Sequence, residues 1–124
     1  MQKLPEAELH VMLSVWKHNR PVTARELLED LEDKTWHIAT LNKLLQRLKD
    51  RGFLKEARSS RPKLYEAQIP EKRYKRWEGR QLLDTLYQGS LHNLVASLVD
   101  DSEPISDEEL AALERLISEQ KEVK

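Results

Sequence analysis

Lys43 and Arg47 stand one helical turn apart in "ATLNKLLQRLKDRG" (residues 39–52), opposite a stripe of Leu41, Leu44, Leu45 and Leu48. Lys49 and Arg51 follow, and Arg58, Arg61 and Lys63 gather around two serines further on. Ammonium and guanidinium groups in such a row suit one kind of chemistry, the pairing with phosphates and base edges of a nucleic acid. Lys43 is placed for a base edge, guanine by its two acceptors, and Arg47, Arg61 and Lys63 for phosphates. Ala39 and Thr40 are small enough to approach thymine methyls. Asn42 lies further round the helix, as a surface residue. Trp36 reads as a core anchor at the start of the helix ahead of a DNA contact.

Other chemistries find few residues to work with. There is no cysteine, which excludes disulfides, thiolate metal sites and cysteine nucleophiles. His10, His18, His37 and His92 form no His-x-x-x-His pair and have no carboxylate at ligand spacing. The three glycines are too far apart to cradle a phosphate. No enzyme, metal or cofactor is expected.

The net charge of −1 hides a division. Residues 34–63 hold nine Lys/Arg against two acids, net +7, whereas residues 100–124 hold three against nine, net −6. With 124 residues, 35% of them charged, the chain has room for one modest domain and an appendage. No apolar run reaches membrane-spanning length and the N-terminus lacks a signal-peptide pattern, so no membrane insertion and a cytoplasmic location are expected.

These elements must position the cations. A first helix is predicted from about Pro5 to His18, with Leu9, Met12, Leu13 and Trp16 inward. Thr23-Ala24-Arg25-Glu26 is a capping box opening a second helix of about ten residues, with Leu27, Leu28 and Leu31 inward. Residues 32–35 form a polar turn, the cationic helix follows, and Gly52 caps it. "FLKEAR" and "KLYEAQI" alternate as two strands, with "SSRP" as the tip of the hairpin. Three helices and a hairpin in this order make a winged helix-turn-helix.

Beyond Ile69-Pro70 come three amphipathic helices. One spans about Glu71 to Tyr87 and stops at Gln88-Gly89. Ser90 caps the next, which carries Leu91, Leu94, Val95, Leu98 and Val99. "SDEE" at 106–109 opens the last, with Leu110, Leu113, Leu116 and Ile117. The last two are too short to be stable alone, so their apolar faces need a partner, which a second copy of the chain supplies. The fold class is mainly α with a small hairpin: residues 1–70 a winged-helix DNA-binding domain, residues 71–124 a helical dimerisation region.

Trp36, Thr40, Leu45, Arg47, Leu48, Gly52 and Leu54, then Arg61, Tyr65 and "LYQGSLHNLV" at 86–95, resemble the penicillinase-repressor family of BlaI, MecI and CopY-type repressors. The resemblance implies a homodimer that represses transcription at a palindromic operator, with the C-terminal helices as the dimer contact. It also implies release by a membrane sensor-protease that responds to β-lactams. The family's cut, between asparagine and phenylalanine, corresponds to Ser97-Leu98. Three departures stand out. His37 replaces the usual serine, moving the expected helix cap to Thr35. Lys43 replaces a threonine. The copper-sensing cysteines are missing. The alternative class is a winged-helix module that contacts proteins and never DNA; steep salt dependence of binding separates the two.

Overall fold

In a computed structural model that describes residues 1–122, the chain divides into two compact units, Met1–Gly79 and Arg80 onward. The first contains α1 (Glu6–His18), α2 (Ala24–Asp30), α3 (Ile38–Asp50) and a hairpin of β1 (Leu54–Arg58) and β2 (Leu64–Ala67). It closes with the first half of α4 (Glu71–Tyr87). The element order is that of a winged helix.

The inner face of α1 is Glu8, Val11, Met12 and Val15, with Trp16 at its edge. The sequence expectation placed Leu13 inward, but it is exposed while Val11 and Val15 are buried. The spacing of 8, 11, 12 and 15 is a regular helical stripe whose first member is an acid. An acid at the head of the stripe hides it from a reading based on hydrophobicity.

The capping box of α2 forms as expected. Thr23 Oγ1 accepts from the Glu26 N–H at 3.2 Å, and the Thr23 N–H donates to Glu26 Oε1 at 3.1 Å. The helix is only seven residues long, shorter than expected. The chain then tightens into a 3₁₀ turn over Glu32–Lys34, and Thr35 adopts a left-handed φ of 56°. Thr35 does not cap α3. Its hydroxyl donates to the Lys34 carbonyl at 2.6 Å, and His37 takes the cap position without a side-chain bond.

At the other end of α3, Gly52 has a φ of +81°, a conformation that a side chain at that position would strain. Its N–H reaches Lys49 O at 3.0 Å and the Phe53 N–H reaches Leu48 O at 2.9 Å. These are the paired bonds of a Schellman cap, which turns buried Phe53 into the core. β1 and β2 pair antiparallel, Leu54 opposite Ala67 and Glu56 opposite Tyr65, with an irregularity between Glu56 and Arg58. Val22 bridges Tyr65 as a short third edge.

The core of this unit joins α1, α2, α3 and the hairpin around Val11, Met12, Leu27, Leu41, Leu45, Leu48, Phe53 and Tyr74. Tyr74 belongs to α4, beyond Ile69-Pro70. Its ring lies 5.8 Å from Trp16 and 5.5 Å from Phe53, and its hydroxyl accepts from the Leu4 N–H at 2.9 Å. The first compact unit extends to Gly79, inside α4.

The second unit holds the rest of α4, α5 (Leu91–Leu98) and α6 (Asp107–Glu122). Gln88 and Gly89 end α4 with positive φ, and Ser90 Oγ caps α5 by accepting from the Asn93 N–H at 3.1 Å. Ser106 Oγ caps α6 in the same way through Glu109. No residue of α5 or α6 is buried. None of the described helices is long and apolar enough to cross a membrane.

Candidate nucleic-acid interface

α3 turns Leu41, Leu44, Leu45 and Leu48 into the core, which forces Ala39, Lys43, Gln46 and Asp50 outward. Thr40, Asn42 and Arg47 flank that face and are also exposed. Among the described residues, neither Lys43 nor Arg47 has an acid within ion-pair distance, while ten other pairs form in the chain. Their charge is thus left for something outside the unit.

Lys49 and Arg51 behave differently from the sequence expectation. Lys49 Nζ sits 2.6 Å from Glu56 Oε1 in β1, and this hydrogen bond raises its pKa and lowers that of Glu56. Arg51 turns back to the buried carboxylate of Glu8 at 2.8 Å and also bonds Gln2 Oε1. Both cations tie the far end of α3 into the unit. Neither belongs to the outward face.

At the hairpin tip Arg58, Arg61 and Lys63 are all exposed. Arg58 donates to Ser60 Oγ at 2.9 Å and to Arg61 O at 3.0 Å, so its guanidinium shapes the tip. Lys63 lies 3.6 Å from Glu56, the acid that Lys49 already engages, and is only partly neutralised. Arg61 has no ion partner among the described residues. Trp36 is half-buried against the core, as a core anchor would be.

Sequence reading missed the acids that sort these cations. Glu56 and Glu8 take up Lys49 and Arg51 and engage Lys63 only in part, while Lys43, Arg47 and Arg61 keep no acidic partner among the described residues. It also missed a junction between α1 and α2. There Asp30 accepts from Ser14 Oγ at 2.7 Å and meets His18 Nε2 at 2.5 Å. Burial pushes the Asp30 carboxyl up, but the Ser14 and His18 hydrogen bonds outweigh it and hold it below its ordinary value. Among the described residues no group of three or more His, Asp or Glu is arranged to hold a metal.

A winged helix with unneutralised cations on its third helix occurs in many families, and the comparison with known proteins decides among them. The chain matches the penicillinase repressor family over residues 4–119. It belongs to that family.

The penicillinase repressor of Bacillus licheniformis is 30% identical over 125 residues, covering 98% of this chain and 96% of the relative. The methicillin resistance regulatory protein MecI of Staphylococcus aureus (strain N315) is 23% identical over 117 residues, covering 94% of each. Among solved structures, the monomeric form of Bacillus licheniformis BlaI in complex with the blaP half-operator is 31% identical. It covers 59% of this chain and 89% of that one, with a TM-score of 0.49. In this chain His37 stands at the N-cap of α3 without a side-chain bond, and Lys43 stands on the outward face of that helix.

Proposed function

We propose that the chain is a DNA-binding transcriptional repressor that lays α3 in the major groove and rests its hairpin tip on neighbouring phosphates. The observation that carries this is the pair Lys43 and Arg47, exposed opposite four buried leucines and without acidic partners among the described residues. Family membership supports it. A helix fits the major groove, and its outward side chains then face base edges. Lys43 contacts a base, Ala39 and Thr40 approach thymine methyls, and Arg47, Arg61 and Lys63 hold phosphates. Arg58 acts by keeping the tip in shape. The reading assigns no catalytic step, and a repressor of this kind works in the cytoplasm, where bacterial DNA lies.

The chain acts in this reading as a homodimer on a palindromic operator. Leu91 is 63% exposed, Leu98 66% and Ile117 54%, with Leu110 also exposed and Leu94, Val95 and Leu113 half-covered. That much apolar surface on short helices favours burial against a second copy. Two-fold symmetry then sets two α3 helices about one DNA turn apart. Proteolysis at Ser97-Leu98 would separate α6 from the remainder and weaken that contact.

The test is binding of the full chain to a pool of duplex fragments across a salt series. A retained subset, with affinity falling steeply as salt rises, is the expected result. Lys43→Ala and Arg47→Ala should each weaken it, and Arg61→Ala should lower the salt slope by about one for all sequences alike. A folded wild-type chain that retains no DNA at low salt overturns the reading.

A further inference from the structure

Between Lys43 and Asp50 on the outward face of α3 stands Gln46, a neutral residue to which neither charge nor capping gives a task. Its Nε2 donates to Asp50 Oδ1 at 2.9 Å. Asp50 itself is unfavourably placed. It is an acid in the last turn of a helix, where the macrodipole favours cations. It also shares the face of Lys43, which in the reading above meets a polyanion. Of the two acids in residues 34–63, Glu56 is occupied by Lys49 and Lys63, whereas Asp50 has no cation at ion-pair distance among the described residues. What it does hold is one amide hydrogen of Gln46.

That bond has a chemical consequence. A glutamine amide has two hydrogens and one oxygen. Asp50 takes one of the two hydrogens, and when that is the hydrogen trans to Oε1, the other hydrogen and Oε1 stand as an adjacent donor and acceptor. Adenine offers the complementary pair in the major groove, N7 as acceptor and N6–H as donor, whereas guanine offers two acceptors. Residues 43, 46 and 50 follow the spacing i, i+3, i+7, which keeps all three on one strip of the helix, the strip that carries Lys43 towards the groove in the reading above.

We propose that Gln46 reads an adenine in each half-site of the operator and that Asp50 is the positioning residue that fixes its amide. The assignment rests on the DNA-binding reading above. A plain helix-stabilising Gln–Asp pair would contribute to the fold and nothing to base preference.

The experiment is sequence selection from a randomised duplex pool by the full-length wild-type chain and three variants, followed by affinities on single-base operator variants. For Gln46→Ala, the preference for adenine over guanine at one position per half-site should fall about tenfold or more. The salt slope should stay unchanged, because no charge is removed. Asp50→Ala should lose several-fold of the same preference. Asp50→Asn, which keeps an acceptor for the amide, should retain it while binding all sequences more tightly. A Gln46→Ala chain that selects the wild-type operator with undiminished preference overturns the assignment and leaves the DNA-binding reading standing. An Asp50→Ala chain with full preference overturns the positioning role. A wild-type chain that enriches no sequence overturns both the assignment and the reading beneath it.

Discussion

The Arg51 guanidinium closes on the Glu8 carboxylate at 2.8 Å, tying the C-terminal end of α3 to the inner face of α1. Glu8 is 2% exposed, and its Oε1 has no aligned hydrogen bond, so the guanidinium charge is what compensates its burial. Removing the cation alone leaves a carboxylate stranded among Val11, Met12 and Val15. Arg51→Ala should cost about 3 kcal/mol in urea unfolding, near the low end for breaking a buried pair. The double variant Glu8→Leu/Arg51→Met should unfold near the wild-type midpoint, because apolar side chains continue the α1 stripe. Equal losses in the single and double variants would show that the charge pairing is not what matters.

Truncation locates the edge of the folding unit. A chain ending at Gly79 keeps Tyr74, its ring contacts with Trp16 and Phe53, and the Leu4 bond. It should fold cooperatively and sediment as a monomer. A chain ending at Pro70 loses Tyr74, a large buried aromatic, and should be less stable by about 3–5 kcal/mol. Thermal melts of the two shortened chains side by side check this, and equal melting points would place the edge of the folding unit at residue 70.

Stability should depend on pH at both extremes. The Arg20 hydrogen bond, followed by the Thr23 backbone N–H, pulls the Glu26 carboxyl down to about 2. A lowered folded pKa means that this contribution is present above the ordinary value of 4.5 and is lost as pH falls towards 2. Glu26→Gln should therefore flatten the acid limb of a melting-temperature profile. Tyr74 has the opposite sign. Burial pushes its hydroxyl up to about 12, so its contribution holds below pH 10 and is lost as pH rises from there towards 12. Tyr74→Phe should remove part of the alkaline loss; an unchanged alkaline limb would count against a buried neutral phenol.

The parts of this fold that are legible in the sequence are written in local signals. Thr23 and Glu26 are three residues apart and cap one helix, and Gly52 ends α3 because only its own backbone conformation is at issue. The leucine stripe of α3 likewise follows from spacing alone. Glu8 and Tyr74 depend on partners distant in sequence. An acid in α1 is buried because a cation at the end of α3 reaches it, and an aromatic beyond Pro70 joins the core because Leu4, Trp16 and Phe53 surround it. The same holds for the interface. The row of cations was visible as a row, but which of them stay free was decided by Glu56 and Glu8 in three dimensions.

If repression ends by proteolysis, as the resemblance implies, the bond at Ser97-Leu98 should make this chain a poor substrate. Ser97-Leu98 lies at the last residues of α5, and Val99 is already extended, so little helix must unwind for a protease to reach the bond. Ser97 Oγ is nevertheless held at 2.9 Å from Tyr87 Oη and donates to Leu94 O at 2.8 Å. The family's cut, as the resemblance implies it, lies between asparagine and phenylalanine. A pocket shaped for a phenyl ring loses about 1–3 kcal/mol of apolar contact when offered a leucine. We therefore expect an unmodified β-lactam sensor-protease to cut this chain at least tenfold more slowly than its own repressor. Leu98→Phe should restore part of the rate, and Ser97→Asn/Leu98→Phe most of it. Tyr87→Phe, which frees Ser97 from one bond, should leave that ranking unchanged. Co-expression with the sensor, addition of antibiotic and mass measurement of the fragments give the answer. Efficient cleavage of the wild-type chain after Ser97 would mean that the two side chains at the bond do not govern recognition, and that this repressor answers the same signal as its relatives.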